Sequence, residues 1–369
     1  MILGKKMLRP PQINEYVPRI NIIASEMITR IKMVQNSSQG ENCLEVDDLD
    51  MELFKWSFET VADFLFDRRF NSLSENPPKD TTIFIKAVGD FLNSIVGVSM
   101  LPPSFYRYIQ TQAFKKFDSN FLLMYNIAEK LIDEKLEDVA HRRKSDKSGF
   151  ESELIPFLLS TNRIDEDEVV SSIVDTLFAG VDTSSNTMQW MLYLLAKHPE
   201  VQSRIREEIN SVATKGCQLD ESMLQKIPLV KCVIKETLRL YPVLVVTGRI
   251  LNEDVVLSGY QVPVNTPLLF MHHGMGRRED LFANANSFLP ERWLRVGSRS
   301  TAEAFASIPF GFGVRMCLGR RLAELEMQIL LVKILQQFRL DIEPGHNVSQ
   351  YMRGTSIPDK PIRVKFFNI

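Results

Sequence analysis

Cys317 stands between two stretches of opposite character. The loop before it, Ser307-Ile-Pro-Phe-Gly-Phe-Gly-Val-Arg-Met, holds Pro309, Gly311 and Gly313 and cannot form a regular helix. After it, Leu318, Leu322, Leu325, Ile329, Leu330 and Ile334 recur at a helical period without a proline. The thiol therefore lies near a helix N-terminus, with Arg315 two residues before it and Arg320 and Arg321 just after. Dipole and cations both favour the thiolate. In a mostly apolar segment such a thiolate is a nucleophile or a metal ligand. A nucleophile needs a base, usually histidine, and His141, His198, His272, His273 and His346 stand in no recognisable relation to it. Zinc needs several Cys or His ligands, and Cys43, Cys217 and Cys232 do not cluster with Cys317.

A single thiolate is enough in one common case, the axial ligand of a haem iron. Glycines then let the backbone run close to the porphyrin, and Arg315, as a buried cation, can pair with a propionate. Phe310-x-x-Gly313-x-Arg315-x-Cys317-x-Gly319 resembles the haem-binding loop of the cytochrome P-450 family. The resemblance implies haem b held by Cys317, with Arg315, Phe310, Gly313 and Gly319 in the binding loop. No Cys-x-x-Cys-His motif is present, so a covalent haem is not expected.

A second constellation lies in the longest helical pattern, from a cap at Asp165 and Glu168 to about Lys197. Val169, Val170, Ile173, Val174, Leu177 and Phe178 carry its period. Ala179-Gly180-Val181-Asp182-Thr183 interrupts the apolar turns, and a surface stripe bearing Asp182, Thr183 and Ser185 is as good a reading from composition alone. The segment resembles the family's oxygen-activating motif. That likeness implies room for the oxygen ligand at Gly180, a hydrogen bond from Thr183, and a link from Asp182 to solvent protons.

Glu236-Thr-Leu-Arg239 places an acid and a base at i, i+3 on a helix beginning at Pro228, which by itself is an ordinary surface pair. In the family the pair is buried and joins a Pro-Glu-Arg segment, here Pro290-Glu-Arg-Trp293. The resemblance thus assigns Glu236, Arg239 and Arg292 to fold maintenance and placement of the haem loop. Arg249 matches a position that contacts a haem propionate. Lys231 and Lys235, four apart, give the same helix one positive face.

The elements that must position these residues read as mainly helical. The chain has 369 residues, 44% hydrophobic and 24% charged, enough for a substantial core. A net charge of -2 gives no reason to expect nucleic acid as a partner, and four scattered cysteines suggest no disulfide framework. Met1 to Pro11 is not a secretory signal, and no apolar run reaches membrane-spanning length. Periodicity predicts helices over 17–34, 46–70, 82–100, 115–141, 165–197, 201–212 and 228–240. The aromatic stripe Phe114, Phe117, Phe121 and Tyr125 reads as core. Strands are expected at 243–246, 255–257, 268–271 and 362–367, the first resembling the strand that lines the family's substrate pocket.

The resemblance covers essentially the whole chain as one domain, with a large helical part and a minor sheet region. Lys231 and Lys235 before Glu236, Arg320-Arg321, and Ala323-Glu-x-Glu-Met327 point to the family's mitochondrial class. That class implies electrons from a 2Fe-2S ferredoxin served by an NADPH-dependent reductase, and a lipophilic, sterol- or steroid-like substrate. It also implies a place on the matrix side of the inner mitochondrial membrane, with peripheral membrane contact. The helix bearing the family's Trp-x-x-x-Arg motif, and the import presequence, are expected upstream of Met1, so the chain reads as N-terminally truncated. Two alternatives stay open. One is an isomerase of the same fold that needs no redox partner, against which Asp182-Thr183 argues. The other is an inactive haem-binding or fold-only fragment.

Overall fold

The computed structural model describes residues 7, 13–35, 44–46, 48–144, 154–160, 166–294 and 304–369. The expected cap at Asp165, the Cys43 thiol and the Pro10-Pro11 segment lie outside them. Among the described residues are twelve α-helices and nine short strands. The helices before the site are α1 (Val17–Gln35), α2 (Leu49–Phe66), α3 (Lys79–Ser99), α4 (Pro103–Tyr106), α5 (Gln112–Lys144) and α6 (Leu154–Ser160). Those that follow are α7 (Glu166–Lys197), α8 (Pro199–Val212), α9 (Glu221–Gln225), α10 (Pro228–Leu240), α11 (His272–Gly276) and α12 (Arg320–Gln337).

Helix α7 is the scaffold. It packs most extensively on α2 and also touches α3, α5, α6, α8, α10 and α12. Its apolar stripe, Ile173, Leu177, Val181 and Met188, is fully buried, as are Trp190 and Leu192. Helix α2 stops four residues short of the expected end. The buried Glu59 carboxylate accepts the backbone N–H groups of Phe70, Asn71 and Ser72, which fixes a turn in place of more helix. Asp67, at φ 53, caps the helix in the left-handed region.

Helix α3 corrects one expectation, because by length and composition it could cross a membrane. Phe84, Ile85, Val88, Phe91 and Leu92 are buried in the protein core, and Phe91 stacks on Phe117 of α5 with centroids 4.6 Å apart. One apolar face of it therefore goes into helix packing, while Ile83 and Val96 stay exposed. Phe121 of the aromatic stripe is 40% exposed, although its ring also approaches Phe91.

The strands form four small sheets. β1 (Leu44–Glu45), β9 (Val364–Asn368) and β6 (Phe338–Ile342) make one three-stranded antiparallel sheet in that order. β2 (Val246–Ile250) pairs with β5 (Pro267–Met271), β3 (Val255–Leu257) with β4 (Tyr260–Val262), and β7 (Gln350–Met352) with β8 (Ser356–Pro358). The expected strand at 243–246 begins only at Val246. The Val243 carbonyl instead accepts the Ser356 N–H at 2.8 Å, which holds this segment to β8.

Candidate functional site

The Cys317 loop folds back on itself. The Cys317 N–H donates to the Phe310 carbonyl at 2.8 Å, closing a turn in which Gly311 and Gly313 adopt φ 71 and 72. A side chain at either would be strained there, which explains two glycines in five residues of loop. Gly319 then caps α12, and Arg320 lies over the Phe310 ring at 5.7 Å.

This loop and α12 form one wall of a cavity of about 290 Å³; α7 and α2 form the other. Cys317, Phe310, Leu318, Gly319, Leu322 and Ala323 face Ala179, Gly180, Thr183 and Val61 across it. Cys317 is exposed where it lines this space. Its thiol nevertheless sits above the usual range, because burial of the sulfur outweighs the backbone N–H groups of Gly319 and Arg320 and the Arg320 charge. The N–H groups and the Arg320 cation thus pull toward the thiolate, as the sequence suggests, and burial pulls the other way.

Gly180 has a packing reason beyond the cavity. A Cβ there would lie 2.8 Å from Val61 Cγ2, and the Ser57 hydroxyl donates to its carbonyl at 3.1 Å. The glycine lets α2 cross α7 at close range. Thr183 lines the cavity, with its hydroxyl donating to the Ala179 carbonyl at 2.8 Å. Its oxygen is left free to accept a hydrogen bond.

The reading of a surface stripe fails: Asp182 is 2% exposed and Ser185 is fully buried. Asp182 does not line the cavity. Its Oδ1 accepts from Arg353 Nη2 at 2.8 Å and its Oδ2 from Thr355 Oγ1 at 2.7 Å, both in the β7–β8 turn. Burial pushes its carboxyl up against the pull of these two partners.

Glu236 and Arg239 are brought together with no side-chain exposure, in a two-pronged contact of 2.7 and 2.9 Å. Arg239 also donates to the carbonyls of Ala285 and Ser287. Glu236 accepts from Arg292 Nε at 3.0 Å, the Leu289 N–H at 2.9 Å and Trp293 Nε1 at 2.8 Å. Besides the Glu236–Arg239 contact itself and an Arg239 bond to the Gly276 carbonyl, these bonds reach 285–293, on the way to the Cys317 loop.

The remaining expected residues lie apart from the cavity wall. Arg315 is exposed rather than buried, in a 3-10 turn over Gly313–Arg315. Arg249, on β2, is exposed and donates to the Gly248 carbonyl. Lys231 and Lys235 are exposed on α10, with Lys235 Nζ 5.8 Å from the Trp293 ring centroid. The sequence reading quoted Glu326 within Ala323-Glu-x-Glu-Met327 as a class feature and gave it no site role, although an acid at an apolar position between Leu322 and Ile329 is a signal in itself. It lines the cavity at 1% exposure.

A lone sulfur facing an apolar slot, with no cluster of three or more His, Cys, Asp or Glu among the described residues, fits a haem-thiolate site. The small residues Gly180, Ala179, Gly319 and Ala323 leave the slot clear of side chains. A model of the cytochrome P-450 family matches residues 2–366. The chain belongs to this family and is a cytochrome P-450 monooxygenase. It is 33% identical to sterol 26-hydroxylase, mitochondrial, of Homo sapiens, over 99% of this chain and 69% of that one. The mouse protein of that name gives the same figures. The human 25-hydroxyvitamin D-1 alpha hydroxylase, mitochondrial, is 32% identical over 100% of this chain and 72% of its own.

Proposed function

We propose that the protein is a mitochondrial monooxygenase that hydroxylates a lipophilic sterol- or secosteroid-like substrate, using haem b and electrons from a 2Fe-2S ferredoxin. The observation that carries the reading is the apolar cavity with Cys317 on one wall and Thr183 on the other. Bound there, the haem supplies dioxygen activation and insertion of one oxygen atom into a C–H bond, RH + O2 + 2e- + 2H+ giving ROH + H2O. Cys317 Sγ would be the donor to the iron, and Leu318, Leu322, Ala323 and Val61 make the walls of the slot largely apolar. Thr183 Oγ1 accepts a hydrogen bond from a water in the cavity and keeps it beside α7. Arg315 and Arg249 are the cations for the propionates.

The substrate class and the compartment rest on the relatives at 32–33% identity, a mitochondrial sterol 26-hydroxylase and a mitochondrial 25-hydroxyvitamin D-1 alpha hydroxylase. Lys231, Lys235 and Arg321 are exposed on two helices that pack together, and these cations suit a small acidic redox partner. Met100 at 77% and Tyr108 at 88% exposure, with Leu101 and Ile109, support peripheral membrane contact near α4. Turnover of a panel of sterols and secosteroids with ferredoxin, reductase and isotopically labelled dioxygen tests the reading. Label in a hydroxylated product is expected; no labelled product from any member contradicts it.

A further inference from the structure

A second cavity, of about 420 Å³, opens between the end of α10, helix α11 and the hairpin β7–β8. It falls in the size range of small-molecule sites and shares no lining residue with the Cys317 cavity. Tyr241, His273 and Arg277 bring polar groups to it, and Val245 and Val348 bring apolar surface. None of the residues that line it is an Asp or a Glu. Asp359 is the acid that reaches a lining residue, and its Oδ1 is taken by the Ser349 N–H at 2.9 Å.

The polar groups facing this space are set as donors by the bonds they already make. Arg277 has only hydrogens to give, so the 2.9 Å contact of its Nε makes His273 Nε2 the acceptor. Burial, and then the Arg277 charge, hold His273 below the usual imidazole range. The ring is therefore neutral at pH 7 and carries its one hydrogen on Nδ1, which has no partner among the described residues. The Tyr241 ring is held against Trp190 with centroids 4.1 Å apart, and Arg277 acts on its hydroxyl. No acceptor among the described residues takes the hydroxyl hydrogen. Arg277 itself is oriented by the Asn286 side chain and the Leu240 carbonyl, and it forms no ion pair among the described residues. Lys197 adds a second cation without a carboxylate partner, bonded to the Tyr193 hydroxyl that also accepts the Val348 N–H.

We propose that this cavity binds a small organic carboxylate. Its anionic oxygens take the hydrogens of His273 Nδ1 and Tyr241 Oη beside the Arg277 charge, and its apolar body lies against Val245 and Val348. Two donors beside one cation match two oxygens and one negative charge. A phosphate brings more acceptors than the cavity answers, because Gln350 Nε2 is already given to Ser356 Oγ at 2.9 Å. That same bond ties β7 to β8, and the turn of this hairpin holds Asp182 of α7. An occupant therefore braces the hairpin that grips the central helix. The site does not depend on the monooxygenase reading.

Isothermal titration of the purified full chain with benzoate, at constant ionic strength and with benzamide as the uncharged counterpart, tests the site. Saturable benzoate binding is expected, with a dissociation constant on the order of 1 mM or tighter for a ligand of this size. Benzamide should bind at least about 10-fold more weakly, since hydrogen bonds to a charged acceptor are the stronger ones. Tyr241→Phe removes the hydroxyl and keeps the ring on Trp190, and it should weaken benzoate by about 10-fold. His273→Phe should do the same; if circular dichroism shows that it does not fold, Tyr241→Phe carries the comparison. No saturable binding, equal affinity for benzamide, or parent-like affinity in every folded variant overturns the proposal. Inorganic phosphate that binds more tightly than benzoate and competes with it overturns the choice of a carboxylate. Amide hydrogen exchange locates the ligand: benzoate should slow exchange over 273–277 and 348–352. Slowing confined to 317–323, at the other cavity, overturns the assignment.

Discussion

Asp182 on the central helix and Arg353 in a hairpin turn near the C-terminus form a buried ion pair at 2.8 Å across 171 residues of chain. Thr355 donates to the other carboxylate oxygen at 2.7 Å, so the hairpin β7–β8 is bolted to α7 one residue before Thr183. Asp182 is thus a tertiary clamp.

Replacing Arg353 by Gln leaves Asp182 buried without its cation. A loss of about 3–5 kcal/mol in urea unfolding at neutral pH is expected. The loss should shrink at low pH, since without Arg353 the carboxyl, already raised by burial, takes up a proton more readily. A cost below about 1 kcal/mol, typical of an exposed pair, contradicts the clamp.

Gly180→Ala puts a Cβ where Val61 Cγ2 stands 2.8 Å away. Overpacking of this kind costs about 1–3 kcal/mol, more than the ~1 kcal/mol that alanine returns in helix propensity. Adding Val61→Ala should recover part of that cost, read as a coupling energy in a double-mutant cycle. Additive effects would mean that the two helices do not meet there.

What could be read from the sequence was local. The period of Ile173, Val174 and Leu177 marks α7 because one face of it lies against several other helices. The Cys317 loop shows through its glycines, because positive φ leaves little choice of residue. Apart from the link of Glu236 to Arg292, which came from the family resemblance, pairings over long separations did not show. Nothing near Asp182 announces Arg353, and β6 follows α12 with no break, Phe338 serving as both the helix cap and the first strand residue. Glu326 was quoted only as part of Ala323-Glu-x-Glu-Met327, because its burial beside the cavity depends on how α12 packs and is not visible in the local pattern.

Glu326 sets a pH slope. Its folded carboxyl lies at about 8 against an ordinary 4.5, so between these values the folded state holds a proton that the unfolded chain has released. Stability therefore falls as pH rises through that window and the Glu326 contribution is flat above it. In Glu326→Gln this part of the slope should vanish, so melting temperature relative to the parent should rise with pH from about 5 to about 8. A pH-independent difference between the two proteins would contradict the assignment.

Lys231→Gln with Lys235→Gln should raise the ferredoxin concentration needed for half-maximal turnover and flatten its salt dependence. Both side chains are exposed, so the fold should be unaffected. An unchanged requirement at low salt leaves the pair as a solvated helix face.

The central claim is that Cys317 binds haem iron through its sulfur, and one measurement bears on it most directly. Haem-loaded protein is reduced under carbon monoxide and its Soret band compared with that of Cys317→Ser. Thiolate ligation predicts the long-wavelength band in the parent and its loss in the variant. A parent without that band, or a variant that keeps it, contradicts the account.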